Sequence, residues 1–326
     1  MLRAQKLLRI ASSLAKVRLM GARIPLFASI ELTRRCDARC RYCGTHSNHG
    51  PELPRGDWIG VIDDLAASGA LRVSFTGGEP LLYPAIAELV ARCAAHGIEV
   101  EINTNGRLFP GALKSLPGLS FVTIGLDGIE EVNDAVRGKG AYAAAVAAYR
   151  AACAAGVRGG FLAVLSTECI SRLDEFLELS RREGFPVLFQ PVFEWYLRSR
   201  RRIRRPPGRE AYRRAIDRLL EARRTGYPVM NSAAGLDYLR RWPGPAPIRC
   251  GGGRCFVRIS SAGILEVCGL KCDTTPAGID ARLGVLPGMR RMPEVKGNAC
   301  WCAGRTEVNL ALDLQPTAVI KVIRRV

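Results

Sequence analysis

A chain of 326 residues that is 48% hydrophobic and 24% charged can bury one large or two modest cores, which excludes a peptide-sized or chiefly disordered protein. It has no 18-residue apolar run that could cross a membrane, and Arg3, Lys6, Arg9, Lys16, Arg18 and Arg23 break up the apolar pieces of Leu2–Phe27, so no signal-peptide core is read there. The net charge of +18 invites a nucleic-acid partner, but half of it lies in residues 198–224, where twelve arginines face Glu210, Asp217 and Glu221.

In chain order, residues 1–24 form a basic extension in which Leu7, Leu8, Ile10, Ala11, Leu14 and Val17 fall near helical spacing. Such a segment either docks on the body of the protein or lies on an anionic membrane surface. Residues 25–192 alternate short apolar runs with longer helical patterns. Strands are expected at 29–33, 72–76, 98–103, 121–126, 160–165 and 187–190. Helices are expected at 57–68, 83–96, 111–116, 130–155 (interrupted by glycine near 138–140) and 172–183. That alternation predicts βαβ units and a parallel sheet. Residues 193–247 read as an arginine-rich bridge, with a basic run Arg198–Arg205, a helix over Glu210–Arg224 and a linker over Pro243–Pro247. Residues 248–326 are cysteine-dense, and a β-hairpin is expected from Phe256–Ser260 and Ile264–Val267, turned at Ser261-Ala262-Gly263.

Cys36, Cys40 and Cys43 stand within eight residues directly after the first strand. Soft thiolates select zinc, copper(I) or iron–sulfur. Three on one loop suffice for three irons of a 4Fe–4S cube, leaving the fourth iron open to a small molecule. A structural zinc site completed by His46 or His49 is the alternative, although zinc sites normally set a second cysteine pair a dozen or more residues away. Val73-Ser74-Phe75-Thr76 then leads into Gly77-Gly78-Glu79-Pro80, Asn103-Thr104-Asn105-Gly106 ends the third strand, and Gly125-Leu126-Asp127-Gly128 ends the fourth.

The Cys-x3-Cys-x2-Cys spacing with Tyr42 before the last cysteine, together with Gly77–Pro80, resembles the radical S-adenosylmethionine (radical SAM) superfamily. The resemblance implies an α/β fold: a partial (β/α)6 parallel barrel with a small C-terminal cysteine-rich β-hairpin and helix domain. The motifs then fall at the C-terminal strand ends, where barrels place their chemistry. Cys36, Cys40 and Cys43 would hold a 4Fe–4S cluster with S-adenosylmethionine on its open iron. Gly77, Gly78, Glu79, Pro80, Asn103, Asp127, Arg137 and Leu165 would contact the cofactor, with Glu79 on the methionyl ammonium and Arg137 on the carboxylate. Family members often carry serine where this chain has Gly125, so that contact is lost or supplied elsewhere. Cys250, Gly263 and Cys268 resemble the hairpin of SPASM and twitch extensions, which implies one auxiliary 4Fe–4S cluster on Cys250, Cys268, Cys300 and Cys302, with Cys255 and Cys272 as rival ligands. A zinc ribbon is the alternative there.

The sequence assigns no catalytic acid or base. Cys93, Cys153 and Cys169 lie in apolar patterns and read as core. His96, at a helix end, reads as a cap on carbonyls. The reading is thus an enzyme that cleaves S-adenosylmethionine reductively and modifies an unactivated C–H position of a small molecule, a lipid or phosphate-bearing compound or a peptide. The short stretch before the first strand leans away from a leader-peptide substrate. Its partners would be a reductant such as flavodoxin or ferredoxin and an unknown substrate, in the cytoplasm or peripherally at the inner membrane face. The reading from another class is a zinc-stabilised basic nucleic-acid-binding protein.

Overall fold

The computed structural model describes residues 12–45, 50–192, 206–268, 278–295 and 299–325. Its eight strands are β1 (Phe27–Thr33), β2 (Arg72–Gly77), β3 (Glu99–Thr104), β4 (Leu119–Gly125), β5 (Arg158–Leu165), β6 (Val187–Pro191), β7 (Phe256–Ile259) and β8 (Leu265–Glu266). They form one sheet in the order β6-β5-β4-β3-β2-β1-β7-β8. Every pair from β6 to β7 is parallel, and only β8 runs antiparallel. Helices Arg55–Ala67, Ile86–Ala95, Ala141–Ala154 and Leu173–Glu183 sit in the crossovers. The parallel sheet is what the alternating elements predict, and the architecture is the partial barrel that the resemblance implies.

Side-chain alternation decides which face each strand buries. In β3, Val100 and Ile102 are fully buried in the apolar core that includes the helices, while Glu101 and Asn103 line the lumen. Strands of an ordinary parallel sheet, covered on both faces, are apolar throughout. A strand reading Glu-Val-Glu-Ile-Asn-Thr instead marks a barrel whose inside is kept polar. The helices supply the matching stripes: Leu89, Val90 and Cys93 in Ile86–Ala95, and Ala145, Ala148 and Ala152 in Ala141–Ala154. The helical pattern over 130–155 resolves into Glu130–Arg137 and Ala141–Ala154, separated by Gly138 and Gly140, both at positive φ.

The C-terminal hairpin extends the same sheet. Ser29 of β1 lies opposite Arg258 of β7, and the Arg258 guanidinium bridges Glu31 of β1 and Glu266 of β8. Buried side chains on both sides of residue 248 belong to one core. Trp242, Ala246 and Ile248 are buried and pin the Pro243–Pro247 stretch to the body, while its three prolines stay exposed. At the N-terminus, Val17 is buried with Leu26, Leu71 and Phe256, and Arg254 Nη2 donates to its carbonyl at 2.7 Å. Among the described residues this segment therefore docks on the protein, and no helix is long and apolar enough to cross a membrane.

Two local readings need correction. Cys153 is exposed, because it stands one position past the buried Ala141–Ala145–Ala148–Ala152 stripe. The His96 imidazole lies 2.8 Å from Asp63 instead of capping carbonyls, drawn aside by a carboxylate that also takes Arg92 at 2.6 Å. Cys93 and Cys169 are fully buried, as their apolar settings predict. The Arg198–Arg205 run and Cys272 lie outside the described residues. On helix Arg209–Arg224, Arg214 pairs with Glu210 and Arg218 with Asp174. Such exposed pairs contribute about 0–1 kcal/mol each.

Candidate functional site

The loop carrying Cys36, Cys40 and Cys43 leaves the C-terminal end of β1, and the ends of β2, β3 and β4 each hold it at a different point. At β2, the amide of Gly78 donates to Thr33 O and that of Glu79 to Arg35 O, both at 2.8 Å. A Cβ on Gly77 would stand 2.1 Å from Thr33 O, and one on Gly78 2.1 Å from Arg35 O. The glycine pair is therefore needed to let β2 reach the cysteine loop.

Glu79 is fully buried. Its carboxylate accepts from Thr104 Oγ1 at 2.9 and 3.0 Å, from the Asn105 amide at 2.8 Å and from the Leu81 amide at 3.2 Å. Burial pushes its carboxyl up to about 7, against the pull of those donors. Glu79 thus locks the β2 and β3 ends together. At β3, Asn105 Nδ2 donates to Asp37 Oδ1 at 2.6 Å and lies 4.0 Å from Cys36 Sγ. Asn103, the residue expected to contact the cofactor, turns into the lumen and donates to Ser74 Oγ at 2.6 Å. Thr104 and Asn105 were thus missed as site residues: Thr104 has the opposite strand parity to Asn103, and Asn105 stands just past the end of β3.

At β4, fully buried Asp127 accepts from Arg137 Nε at 2.7 Å, Tyr42 OH at 2.7 Å and the Val164 amide at 2.8 Å. The Arg137 guanidinium also lies over the Tyr42 ring, 5.7 Å from its centroid, and the Arg41 amide donates to Val136 O at 2.9 Å. A Cβ on Gly125 would meet Arg137 Nη1 at 2.1 Å. The space beside Gly125 is therefore filled by the Arg137 guanidinium. Asp127 and Arg137 brace the cysteine loop through Tyr42. Leu165, at the end of β5, is fully buried in the core.

The three thiols suit an iron–sulfur cluster. Burial raises Cys36 to about 11 and also raises Cys40, while the Arg137 charge lowers Cys40. Sulfur-directed donors are in place, since the Ala38 amide lies 3.4 Å from Cys36 Sγ. Cys43 Sγ meets the Thr45 hydroxyl at 3.3 Å. Metal binding would displace the thiol protons. Among the described residues no three His, Cys, Asp or Glu side chains converge on one ion position. His46 and His49, the further ligands of the zinc alternative, lie outside the described residues.

Cys250, Cys268, Cys300 and Cys302 also share a neighbourhood. Burial raises the Cys300 thiol, and the charges of Cys302, Cys250 and Cys268 act on it next. The Cys300 amide donates to Tyr238 OH at 2.8 Å, and that hydroxyl donates to Ala246 O at 2.7 Å. Cys255 is fully buried beside Val17, Leu26 and Phe256. Burial raises it to about 12, with Cys250 the next contributor.

A cavity of about 360 Å³ occupies the lumen. Ser29, Ser74, Glu101, Asn103, Thr123 and Gln190 form its strand wall. Thr123 Oγ1 donates to Glu101 at 2.6 Å. Residues from the two C-terminal helices, Ala303–Leu312 and Pro316–Arg325, close the other side, and Cys302 reaches the same cavity.

Comparison with known proteins adds an independent line. The Radical SAM superfamily profile matches residues 30–180. Fe-coproporphyrin III synthase of Methanosarcina barkeri is 30% identical over 209 residues, covering 61% of this chain and 52% of that protein. Mycofactocin maturase MftC of Mycobacterium tuberculosis is 36% identical over 171 residues, covering 50% of this chain and 44% of that protein. The chain spans about half the length of these two relatives. The structure of native anSMEcpe with bound AdoMet and Kp18Cys peptide superposes with a TM-score of 0.68 at 17% identity, covering 82% of this chain and 81% of that one. That likeness shows a shared fold.

Proposed function

The chain belongs to the radical SAM superfamily, and from that premise we propose that it is an enzyme that functionalises an unactivated C–H position of a substrate group held in the barrel lumen. The observation that carries this reading is the cysteine loop, fixed by three strand ends at the C-terminal end of the barrel. Cys36, Cys40 and Cys43 would hold a 4Fe–4S cluster. With S-adenosylmethionine, that cluster supplies reductive cleavage of the sulfonium and a 5′-deoxyadenosyl radical able to abstract a hydrogen atom.

The rest falls to the protein. The Gly77–Pro80 segment presents backbone to the cofactor. Glu79 sets that backbone from behind, tied to Thr104 and Asn105. Asp127, Arg137 and Tyr42 hold the far side of the loop. The helices that close the lumen exclude water from the substrate. Cys250, Cys268, Cys300 and Cys302 would hold one auxiliary 4Fe–4S cluster, which would supply a one-electron acceptor, and Cys302 lies on the cavity wall. A small reductant protein, flavodoxin or ferredoxin, in the cytoplasm completes the reading. A zinc-stabilised nucleic-acid-binding protein is set aside, because the match over residues 30–180 is to an enzyme family.

The test is anaerobic reconstitution with iron and sulfide, followed by dithionite and S-adenosylmethionine. The wild type should form 5′-deoxyadenosine, and Cys40→Ala should fall to background. No cleavage by a fully reconstituted wild type would sink the proposal.

A further inference from the structure

Three glycines, Gly251-Gly252-Gly253, separate Cys250 from Arg254 and Cys255. Close packing demands the first two: a Cβ on Gly251 would stand 2.5 Å from Cys255 Sγ, and one on Gly252 2.4 Å from the Val267 side chain. Such a run has no side chains to fix its own backbone, and each glycine loses more conformational freedom on ordering than any other residue. The turn is held from outside instead. On one side the Gly251 amide donates to Asn309 Oδ1 at 2.9 Å. On the other stands the N-terminal segment.

Arg23 Nη1 lies within donor reach of three carbonyls: Gly253 O at 3.3 Å, Met292 O at 2.9 Å and Met289 O. It thereby ties the glycine turn to the C-terminal end of helix Val285–Arg291, where carbonyls lack partners within the helix. The Ile24 amide donates to Arg254 O at 2.8 Å and the Phe27 amide to Cys255 O at 3.1 Å. Arg254 Nη2 donates in return to Val17 O, in the helical stretch 12–19. The same segment completes the apolar surroundings of the thiols. Leu14, Val17 and Ile24 share one small packed cluster with Cys250, Cys255 and Cys268, and Val17 is 1% exposed. The apolar shell around a cluster controls solvent access, and exposure helps set its potential.

We propose that residues 14–27 form a wall of the auxiliary-cluster site. Arg23 is a positioning residue that fixes the turn between Cys250 and Cys255, and Leu14 and Val17 keep water and oxygen from the cluster. The N-terminal segment is then a working part of the redox site, set against it by directed bonds as well as by packing. The proposal rests on the reading of Cys250, Cys268, Cys300 and Cys302 as ligands of one cluster.

The experiment uses the full-length chain carrying Cys36→Ala/Cys40→Ala/Cys43→Ala, reconstituted anaerobically so that only the auxiliary cluster contributes. Iron and visible cluster absorbance in this parent test the ligand reading itself, and their absence would overturn that reading and the wall with it. On exposure to air, Arg23→Gln should lose the absorbance about tenfold faster than the parent, the factor of one hydrogen bond from a charged donor. Arg23→Lys, which restores a charged donor without the guanidinium fork, should recover part of that factor. Val17→Ser, which leaves Arg23 in place, should also speed the loss. The electron paramagnetic resonance spectrum of the reduced cluster should broaden in Arg23→Gln and remain that of the parent in Val17→Ser, which separates positioning from cover. Arg214→Gln, at an exposed ion pair, should match the parent throughout, and near-ultraviolet circular dichroism verifies the fold of each variant. With Cys36, Cys40 and Cys43 restored, Arg23→Gln should still form 5′-deoxyadenosine at the wild-type rate. A parent carrying iron, with Arg23→Gln matching it in air stability and spectrum, would overturn the wall while leaving the ligand reading intact. Equal loss of S-adenosylmethionine cleavage in Arg23→Gln would also overturn it, by showing a general destabilisation.

Discussion

The loop of Cys36, Cys40 and Cys43 is fixed by directed hydrogen bonds from three strand ends, whereas Cys250, Cys268, Cys300 and Cys302 ride on segments where apolar packing is joined by a few side-chain bonds, such as Cys300 N to Tyr238 OH and Gly251 N to Asn309 Oδ1. Directed bonds set position and orientation but demand particular residues at particular spacings. Packing tolerates exchange among side chains of similar volume. The first region should therefore respond sharply to single changes, and the second should respond mainly when a thiol that binds iron is removed.

Four substitutions put numbers on that contrast. The largest effect is expected for Arg137→Met, which leaves Asp127 as an uncompensated charge with a fully buried side chain. Breaking such a pair costs roughly 3–5 kcal/mol, readable as a lowered urea midpoint of the apoprotein, and a cost under about 1 kcal/mol would show the brace to be dispensable. Next is Glu79→Gln. Glu79 keeps its proton up to about 7 in the folded protein against 4.5 in the unfolded chain, so its contribution to the stability of the apoprotein is fully present below about 4.5 and is lost as pH rises through about 7. That loss is about 3 kcal/mol, and the glutamine variant should show a flatter profile across this window. Gly78→Ala, whose Cβ would meet Arg35 O, should cost about 2 kcal/mol and reduce iron loading at the first site. Cys255→Ala should cost only about 1 kcal/mol of packing and leave the iron content unchanged. Loss of iron there would make Cys255 a ligand and tighten the comparison.

The parts legible in the sequence were those written in local spacing. The cysteine triad, the glycine pair and the six alternating strand and helix patterns each depend on neighbours a few residues away. What stayed hidden depends on distant partners. Tyr42 finds Asp127 across 85 residues, and Arg258 finds Glu31 across 227. No periodicity reveals either pairing, so Asp127 and Arg137 read as cofactor contacts when their described bonds are to the protein. Asn105 was overlooked beside Asn103 because both stand in one turn motif; they share strand parity, and what separates them is that β3 ends at Thr104, between the two. Gly125 is the instructive exception. Its departure from serine was visible, but the guanidinium that fills its place was not.

Iron stoichiometry of paired variants tests most directly the claim that the two cysteine regions hold separate clusters. After anaerobic reconstitution the wild type should carry roughly eight irons per chain, as two cubanes. The variants Cys36→Ala/Cys40→Ala/Cys43→Ala and Cys250→Ala/Cys268→Ala should each retain about half of that, and only the second should keep S-adenosylmethionine cleavage. Tightly bound zinc in the wild type, or loss of all iron from either variant, would contradict the account.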